Sequence, residues 1–257
     1  METTEIRRLI ALEDTHWWYR ERRAILRREL RELGRPGRAL DIGAAGGGNT
    51  RVLVEAGWDA TATDNCQAAV ETARQRGLKA VHADARALPF EPGSVDLVTA
   101  FDVLEHIRED HLAAEEIARV LAPGGHALIA VPCDMALWSA HDDAVGHVRR
   151  YDRDSLTVVV EKAGLTVDRI WSWNVLLRPL VVRHRRRSRG SDLRKTPFLV
   201  NAGLSAIVRA ERYLPVRSLK GVSLFLRARR GGRLPDDSPR GAQNVTSTGR
   251  MGRWRWL

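Results

Sequence analysis

From residue 38 onward the chain alternates short apolar runs with amphipathic stretches, and this alternation limits the available folds more than any other feature. Strands are expected at Arg38–Ile42, Asp59–Asp64, Lys79–Ala83, Val95–Phe101, His126–Val131 and Thr166–Trp171. Between them, Asn49–Ala56, Cys66–Arg76, His111–Leu121 and Arg153–Ala163 carry helical spacing. Strands separated by helices at this interval build a doubly wound, mostly parallel sheet, a Rossmann-like α/β fold. A seventh strand, Gly221–Arg230, follows only after a long gap that holds two amphipathic segments, Val175–His184 and Phe198–Leu214. Residues 175–219 therefore read as a helical insertion before the last strand. Residues 1–33 read as helical, with apolar residues at 18, 25, 26, 30 and 33, and Gly34 and Pro36-Gly37 stop the pattern. The expected organisation is an N-terminal helical lid (1–33), an α/β domain (34–230) and a tail (231–257). That tail is too rich in Gly, Arg, Ser and Pro to pack, and is expected to be disordered.

The first strand runs into Gly43-Ala-Ala-Gly-Gly-Gly48. A glycine-rich turn at this point lets backbone approach a ligand closely. A dinucleotide site wants G-x-G-x-x-G, but Gly43 is followed by Ala44 and Ala45. Asp41, two residues earlier, would repel a pyrophosphate and suits a ligand that carries positive charge. Asp64 ends the second strand, where an acid accepts hydrogen bonds from ribose hydroxyls or caps the helix that follows.

Over roughly residues 38–230 the chain resembles the class I S-adenosylmethionine-dependent methyltransferases. Asp41, Gly43 and Gly47 fit that family's D-x-G-x-G-x-G turn, with Ala45 in place of the middle glycine. The resemblance implies S-adenosylmethionine as cofactor, its methionine part against this turn and its ribose on Asp64. His82-Ala-Asp-Ala-Arg-Ala-Leu-Pro-Phe90 looks like the adenine-binding turn, with Asp84 at the exocyclic amine and Ala85 supplying an amide. Val95–Ile107, then Arg119-Val-Leu-Ala-Pro-Gly-Gly125, match the fourth strand and the turn before the fifth, which puts Phe101 at the cofactor.

Methyl transfer from a sulfonium is an in-line displacement, so acceptor and cofactor must be aligned, and a hydroxyl acceptor must lose its proton. His106 leaves the fourth strand in Asp102-Val-Leu-Glu-His106, and either lines the site or is bonded to backbone. Trp138-Ser-Ala-His-Asp-Asp-Ala-Val-Gly-His-Val-Arg-Arg-Tyr151 follows the fifth strand and resembles a small-molecule branch of the family. There His141 or His147 is a candidate general base, while Trp138, Arg149, Arg150 and Tyr151 are candidates to orient substrate. Buried histidines that pin a loop are the structural alternative. His141, Asp142 and His147 lack the carboxylate-rich set of a hard cation, so no metal is expected. His16-Trp-Trp-Tyr19 recurs in the same branch, and Trp18 is a candidate to cover the substrate.

Composition narrows the partners. The net charge is +10, almost all from arginine, and Arg178–Lys195 holds a dense basic cluster with Asp192 as its one acid. Beside the apolar residues of Val175–Val182, this suits peripheral contact with an anionic membrane, or a plain solvated surface. Cys66 and Cys133 lie far apart, the start lacks a signal-peptide core, and no run of 18 apolar residues occurs. A cytoplasmic protein is expected, at most peripheral at the membrane's inner face. The acceptor is expected to be a small or lipid-linked molecule, methylated at oxygen. An Asp102-Val-Leu-Glu turn in place of N/D-P-P-Y/F disfavours exocyclic amines, and no RNA-reading module is evident, so no specific nucleic acid is expected. An RNA or protein methyltransferase docking through the basic insertion, and a non-catalytic cofactor-binding module, are the alternatives. The sequence sets no oligomeric state.

Overall fold

In a computed structural model that describes residues 3–187, 190 and 196–231, the alternation becomes one seven-stranded sheet of order β3-β2-β1-β4-β5-β7-β6. The strands are β1 (Arg38–Ile42), β2 (Asp59–Asp64), β3 (Lys79–His82), β4 (Val95–Phe101), β5 (Leu121–Pro132), β6 (Leu165–Trp173) and β7 (Ser223–Arg230). Strands β1 to β5 are parallel to one another, whereas β7 runs antiparallel to both β5 and β6. The winding reverses between β1 and β4, which opens a crevice at their carboxyl ends. The expected tail and part of the basic cluster lie outside the described residues.

Two helices precede the sheet, α1 (Thr3–Leu12) and α2 (Trp17–Leu33). The helical stretch expected over 1–33 is thus broken, because His16 takes an extended conformation and its ring accepts from the Trp18 amide at the start of α2. The remaining helices are α3 (Gly48–Glu55), α4 (Gln67–Gln75), α5 (Asp110–Val120), α6 (Ala140–Val145), α7 (Arg153–Lys162), α8 (Arg178–Arg185) and α9 (Phe198–Glu211).

Alternate residues of each buried strand face opposite layers. Leu40, Val98, Ala100 and Ile129 join Ile117 of α5 and Leu156 and Val160 of α7. Ala39, Leu97, Leu128 and Phe225 join Leu26 and Leu30 of α2 and Val52 and Leu53 of α3. Leu26 and Leu53 are fully buried, and burial of each such side chain stabilises the fold by about 1.5–3 kcal/mol. Strand β5 starts at Leu121, earlier than the sequence pattern suggests, because Leu121 pairs with Val95 before an irregularity between Val95 and Leu97.

The antiparallel β7 decides where the insertion goes. The chain leaves β6 and re-enters β7 at the same edge, the carboxyl edge of the parallel strands, so α8 and α9 stand beside the crevice. Glu211 anchors this unit by accepting the Val175 and Leu176 amides at 2.7 and 3.1 Å. Asn201 of α9 accepts the Trp17 amide at 2.8 Å and ties the insertion to α2.

Candidate functional site

The turn after β1 is shaped from below. Asp41 is buried, and its two oxygens accept from Thr50 and Thr99 at 2.7 and 2.6 Å. It does not line the crevice, which corrects its expected role as a ligand contact. The pleat points the carboxylate at Thr99 of β4 and at α3, so it braces the turn instead. Burial pushes the Asp41 carboxyl up to about 6, with the Thr50 and Thr99 hydroxyls acting the other way. A folded pKa above the ordinary carboxylate value gives stability that is full below about pH 4 and lost as pH rises through 6, by about 3 kcal/mol. Asp41→Asn is expected to flatten that part of the stability–pH curve, as urea denaturation at pH 4, 5, 6 and 7 would show.

Gly43 has φ 66°, and a Cβ there would lie 2.5 Å from Val103 Cγ2. Gly47 has φ 84°, and a Cβ there would collide with the Leu78 side chain. Gly47 therefore packs against Leu78 rather than facing the crevice, contrary to expectation. Ala45 also takes a left-handed φ of 47°; for a residue with a Cβ this costs about 1–2 kcal/mol. Ala45→Gly is expected to be neutral or stabilising by up to about 1 kcal/mol, whereas Ala69→Gly in α4 destabilises by about 1 kcal/mol or more. Paired thermal melts would check the contrast.

Above the turn lies a cavity of about 440 Å³ lined by Gly43, Ala45, Asp64, Asp84, Ala85 and Phe101, with Glu13 and Arg22 opposite. Asp64 accepts the Ala45 amide on Oδ2 and the Cys66 amide on Oδ1, at 2.9 and 2.8 Å, and each oxygen keeps a lone pair. Asp84 lines the cavity with both oxygens held by the Arg86 guanidinium. Glu13, just past α1, is ion-paired with Arg76 and lies over the turn, where a side chain at Gly46 or Gly48 would meet its carboxylate at 2.7 and 2.6 Å. Ile6 and Leu9 of α1 also line this cavity.

A second cavity, of about 820 Å³, lies under the HWWY segment, α6, α8 and α9. Trp18, Leu177, Leu180, Val200 and Leu204 give it an apolar wall, and His141, His147 and Arg150 lie on its other side. The two cavities share Leu9, Tyr19, Asp102 and His106. At this junction Asp102 has φ 58° and pairs with Arg22 at 3.0 Å. The Arg22 guanidinium in turn stands 5.3–5.9 Å from the rings of Trp18, Phe101, Trp173 and Phe225.

Beside the junction the short turn Leu104–His106 and the end of α6 bring Glu105, His106 and His147 together. His106 Nδ1 donates to the Gly146 carbonyl at 3.1 Å, so the structural reading of that residue holds for one nitrogen, while its buried Nε2 has no hydrogen-bond partner. His147 Nδ1 donates to Asp142 Oδ1 at 2.8 Å. Burial and the neighbouring His147 push the His106 ring down to about 3, so it is neutral. Glu105 is fully buried with no hydrogen-bond partner on either oxygen, His147 Nε2 lying 3.9 Å from Oε1, and burial, with Asp102 adding to it, raises its carboxyl well above the usual range.

Three expected substrate contacts lie elsewhere. Trp138 lines neither cavity and donates its indole N–H to Asp143 at 3.2 Å. Arg149 is drawn to Asp110 and the Arg108 carbonyl, and the buried Tyr151 donates its hydroxyl to Asp110 at 2.7 Å. The acid on α5 captures both side chains and turns them from the cavity. Arg150 lines the second cavity with its guanidinium committed to Asp142 and to the Cys133 carbonyl. Sequence reasoning missed Glu105, Glu13 and the hub role of Asp142. Only the last had a legible signal, the Ser139-x-x-Asp142 capping box that starts α6.

A sequence-family profile described as a methyltransferase domain matches residues 40–129. The biotin biosynthesis bifunctional protein BioHC of Cellvibrio japonicus (strain Ueda107) is 36% identical over 138 residues, 50% of this chain and 27% of that protein. The ubiquinone biosynthesis O-methyltransferase of Bordetella avium (strain 197N) is 33% identical over 95 residues, 34% of this chain and 39% of that protein. The chain thus spans well under two thirds of these relatives' lengths. In fold it is similar to the N-methyltransferase NodS from Bradyrhizobium japonicum WM9, solved in complex with S-adenosyl-L-homocysteine. The TM-score is 0.55 at 19% identity, over 84% of this chain and 89% of that one.

Proposed function

We propose that this chain, a class I S-adenosylmethionine-dependent methyltransferase through residues 40–129, methylates a hydroxyl of an apolar, small or lipid-linked acceptor. One observation carries this reading: a cavity built on the glycine turn and Asp64 meets a larger apolar cavity at Asp102 and His106. When bound, S-adenosylmethionine supplies an electrophilic methyl on a sulfonium. Asp64 is placed to take the ribose hydroxyls on the lone pairs its amide partners leave open, and Asp102 and Glu13 offer carboxylates to the cofactor's positive charge. Trp18 and the walls of α8 and α9 hold the acceptor and exclude water. His147, its Nδ1 proton fixed by Asp142, presents Nε2 beside His106 as the group that receives the hydroxyl proton.

The rim of the second cavity favours a lipid-linked acceptor. On α9, Phe198 and Leu199 are 82% and 80% exposed, and Arg183, Arg186 and Arg187 are exposed on and just after α8. An apolar tip beside cations fits an anionic bilayer surface. No helix among the described residues is long and apolar enough to cross a membrane. The full chain is expected to sediment with anionic liposomes in a salt-sensitive way, and less so as Arg183/Arg186/Arg187→Ala.

Incubation with methyl-labelled cofactor and cell extract tests the function itself. Label in an organic-extractable product that carries a new methyl ether is the expected outcome. Label confined to RNA or protein, or none at all while S-adenosylhomocysteine binds normally, would overturn the reading.

A further inference from the structure

The cluster beside the junction has donors but nothing to receive them. Glu105 offers a carboxyl group with both oxygens buried and without a hydrogen-bond partner, His147 Nε2 lying 3.9 Å from Oε1, in a side chain with no solvent exposure. His106 Nδ1 and His147 Nδ1 are both committed as donors, the first to a carbonyl and the second to a carboxylate, which leaves both Nε2 atoms with lone pairs. One ligand atom from each of the three residues lies within 4.8 Å of the others. Fixing the far ring N–H of histidine by a carbonyl or carboxylate is the arrangement that sets a tautomer for metal binding. A buried carboxylate without a hydrogen-bond partner is costly, and a cation between these three groups would remove that cost.

We propose that Glu105, His106 and His147 bind a divalent transition-metal cation. Two imidazoles and one carboxylate suit zinc, cobalt or manganese rather than calcium or magnesium, which take oxygen sets. Ligands of such an ion sit about 2.0–2.2 Å from it, so the three side chains need only draw inward by small torsional changes. His106 borders both cavities and His147 the second, so open coordination positions would face the acceptor. The site is a different set from His141, Asp142 and His147, because Asp142 is spent on His147, Arg150 and Arg185.

Ion binding rests on the cluster alone. Its use rests on the O-methylation reading with one change: His147 Nε2, taken up by the ion, no longer receives the hydroxyl proton, which passes to solvent once coordination has made the hydroxyl more acidic.

The test uses the full chain, stripped with a chelator and titrated with Co²⁺ by visible absorption, with elemental analysis of the zinc-loaded protein. One ion per chain with a ligand-field spectrum is expected, and Glu105→Gln and His106→Ala should each weaken binding by about 100-fold or more. S-adenosylhomocysteine calorimetry and circular dichroism on the same variants separate loss of the site from loss of the fold, and His147→Gln serves if either variant unfolds. A folded parent chain that binds neither Co²⁺ nor Zn²⁺ at micromolar concentration, or variants that bind as the parent does, would overturn the site. Stoichiometric metal without methyl transfer would support the site and fail only the function.

Discussion

Asp142→Ala is expected to cost about 3–5 kcal/mol of folding stability, the loss typical of breaking a buried ion pair from one side. The carboxylate has no solvent exposure and is the meeting point of α6, α8 and the segment that leads into Tyr151. It accepts from His147 Nδ1 and Arg150 Nε at 2.8 Å, from Arg185 at 2.9 Å and from the Ser139 amide at 3.0 Å. Arg185 is near enough to solvent to turn away, but the Arg150 side chain is also fully buried and would keep only the Cys133 carbonyl. The uncompensated guanidinium, more than the lost contacts, sets the size of the effect. Arg150→Met in the Asp142→Ala background should therefore recover part of the loss, although Arg150→Met alone destabilises. Burial alone would raise the Asp142 pKa, but the His147 hydrogen bond and the Arg150 and Arg185 charges hold it well below the usual range. Its contribution is present above about pH 4 and is lost only as acid protonates the folded state. Urea denaturation at pH 7 checks the prediction, and a loss under about 1 kcal/mol would show that Arg150 finds other partners.

Burial on both faces made the sheet legible. The expected bounds of β1, β2 and β4 match the observed ones, because a central parallel strand is an apolar run with turn formers at each end. Periodicity says less about which way a single polar residue points. Asp41 reads as a site acid, yet the register that pairs it with Thr99 turns it into a brace. Tyr151 and Arg149 sit in the most family-like stretch of the chain, yet Asp110, on a helix some forty positions earlier, claims both. Glu105 was invisible for a related reason. Within Asp102-Val-Leu-Glu-His106 it is one acid among polar neighbours, and it becomes buried only when the Val148 amide, just after α6, docks on its carbonyl. The insertion was legible as two helices, but its position at the carboxyl edge followed from the direction of β7, which the sequence does not encode locally.

The second large effect concerns affinity. Asp64→Ala is expected to raise the dissociation constant for S-adenosylhomocysteine by about 100-fold, near 3 kcal/mol. Part of this is the loss of a charged acceptor for the ribose hydroxyls, together worth about as much as one hydrogen bond to a charged group, about 1.5–3 kcal/mol. The rest comes from the turn: without the carboxylate the Ala45 and Cys66 amides lose their partner, and Ala45 loses the bond that holds it at positive φ. The two parts can be separated from the ligand side. Against 2′,3′-dideoxy-S-adenosylhomocysteine, which has no hydroxyls to offer, only the turn contributes, so the substitution should cost about tenfold or less. Asp64→Asn, which keeps one acceptor oxygen, should fall between the two. Because Asp64 lies on the glycine-turn cavity and not on the acceptor cavity, saturating cofactor should restore most of kcat. Equal losses for the hydroxylated and dideoxy ligands would mean that Asp64 only shapes the turn and never meets the ribose.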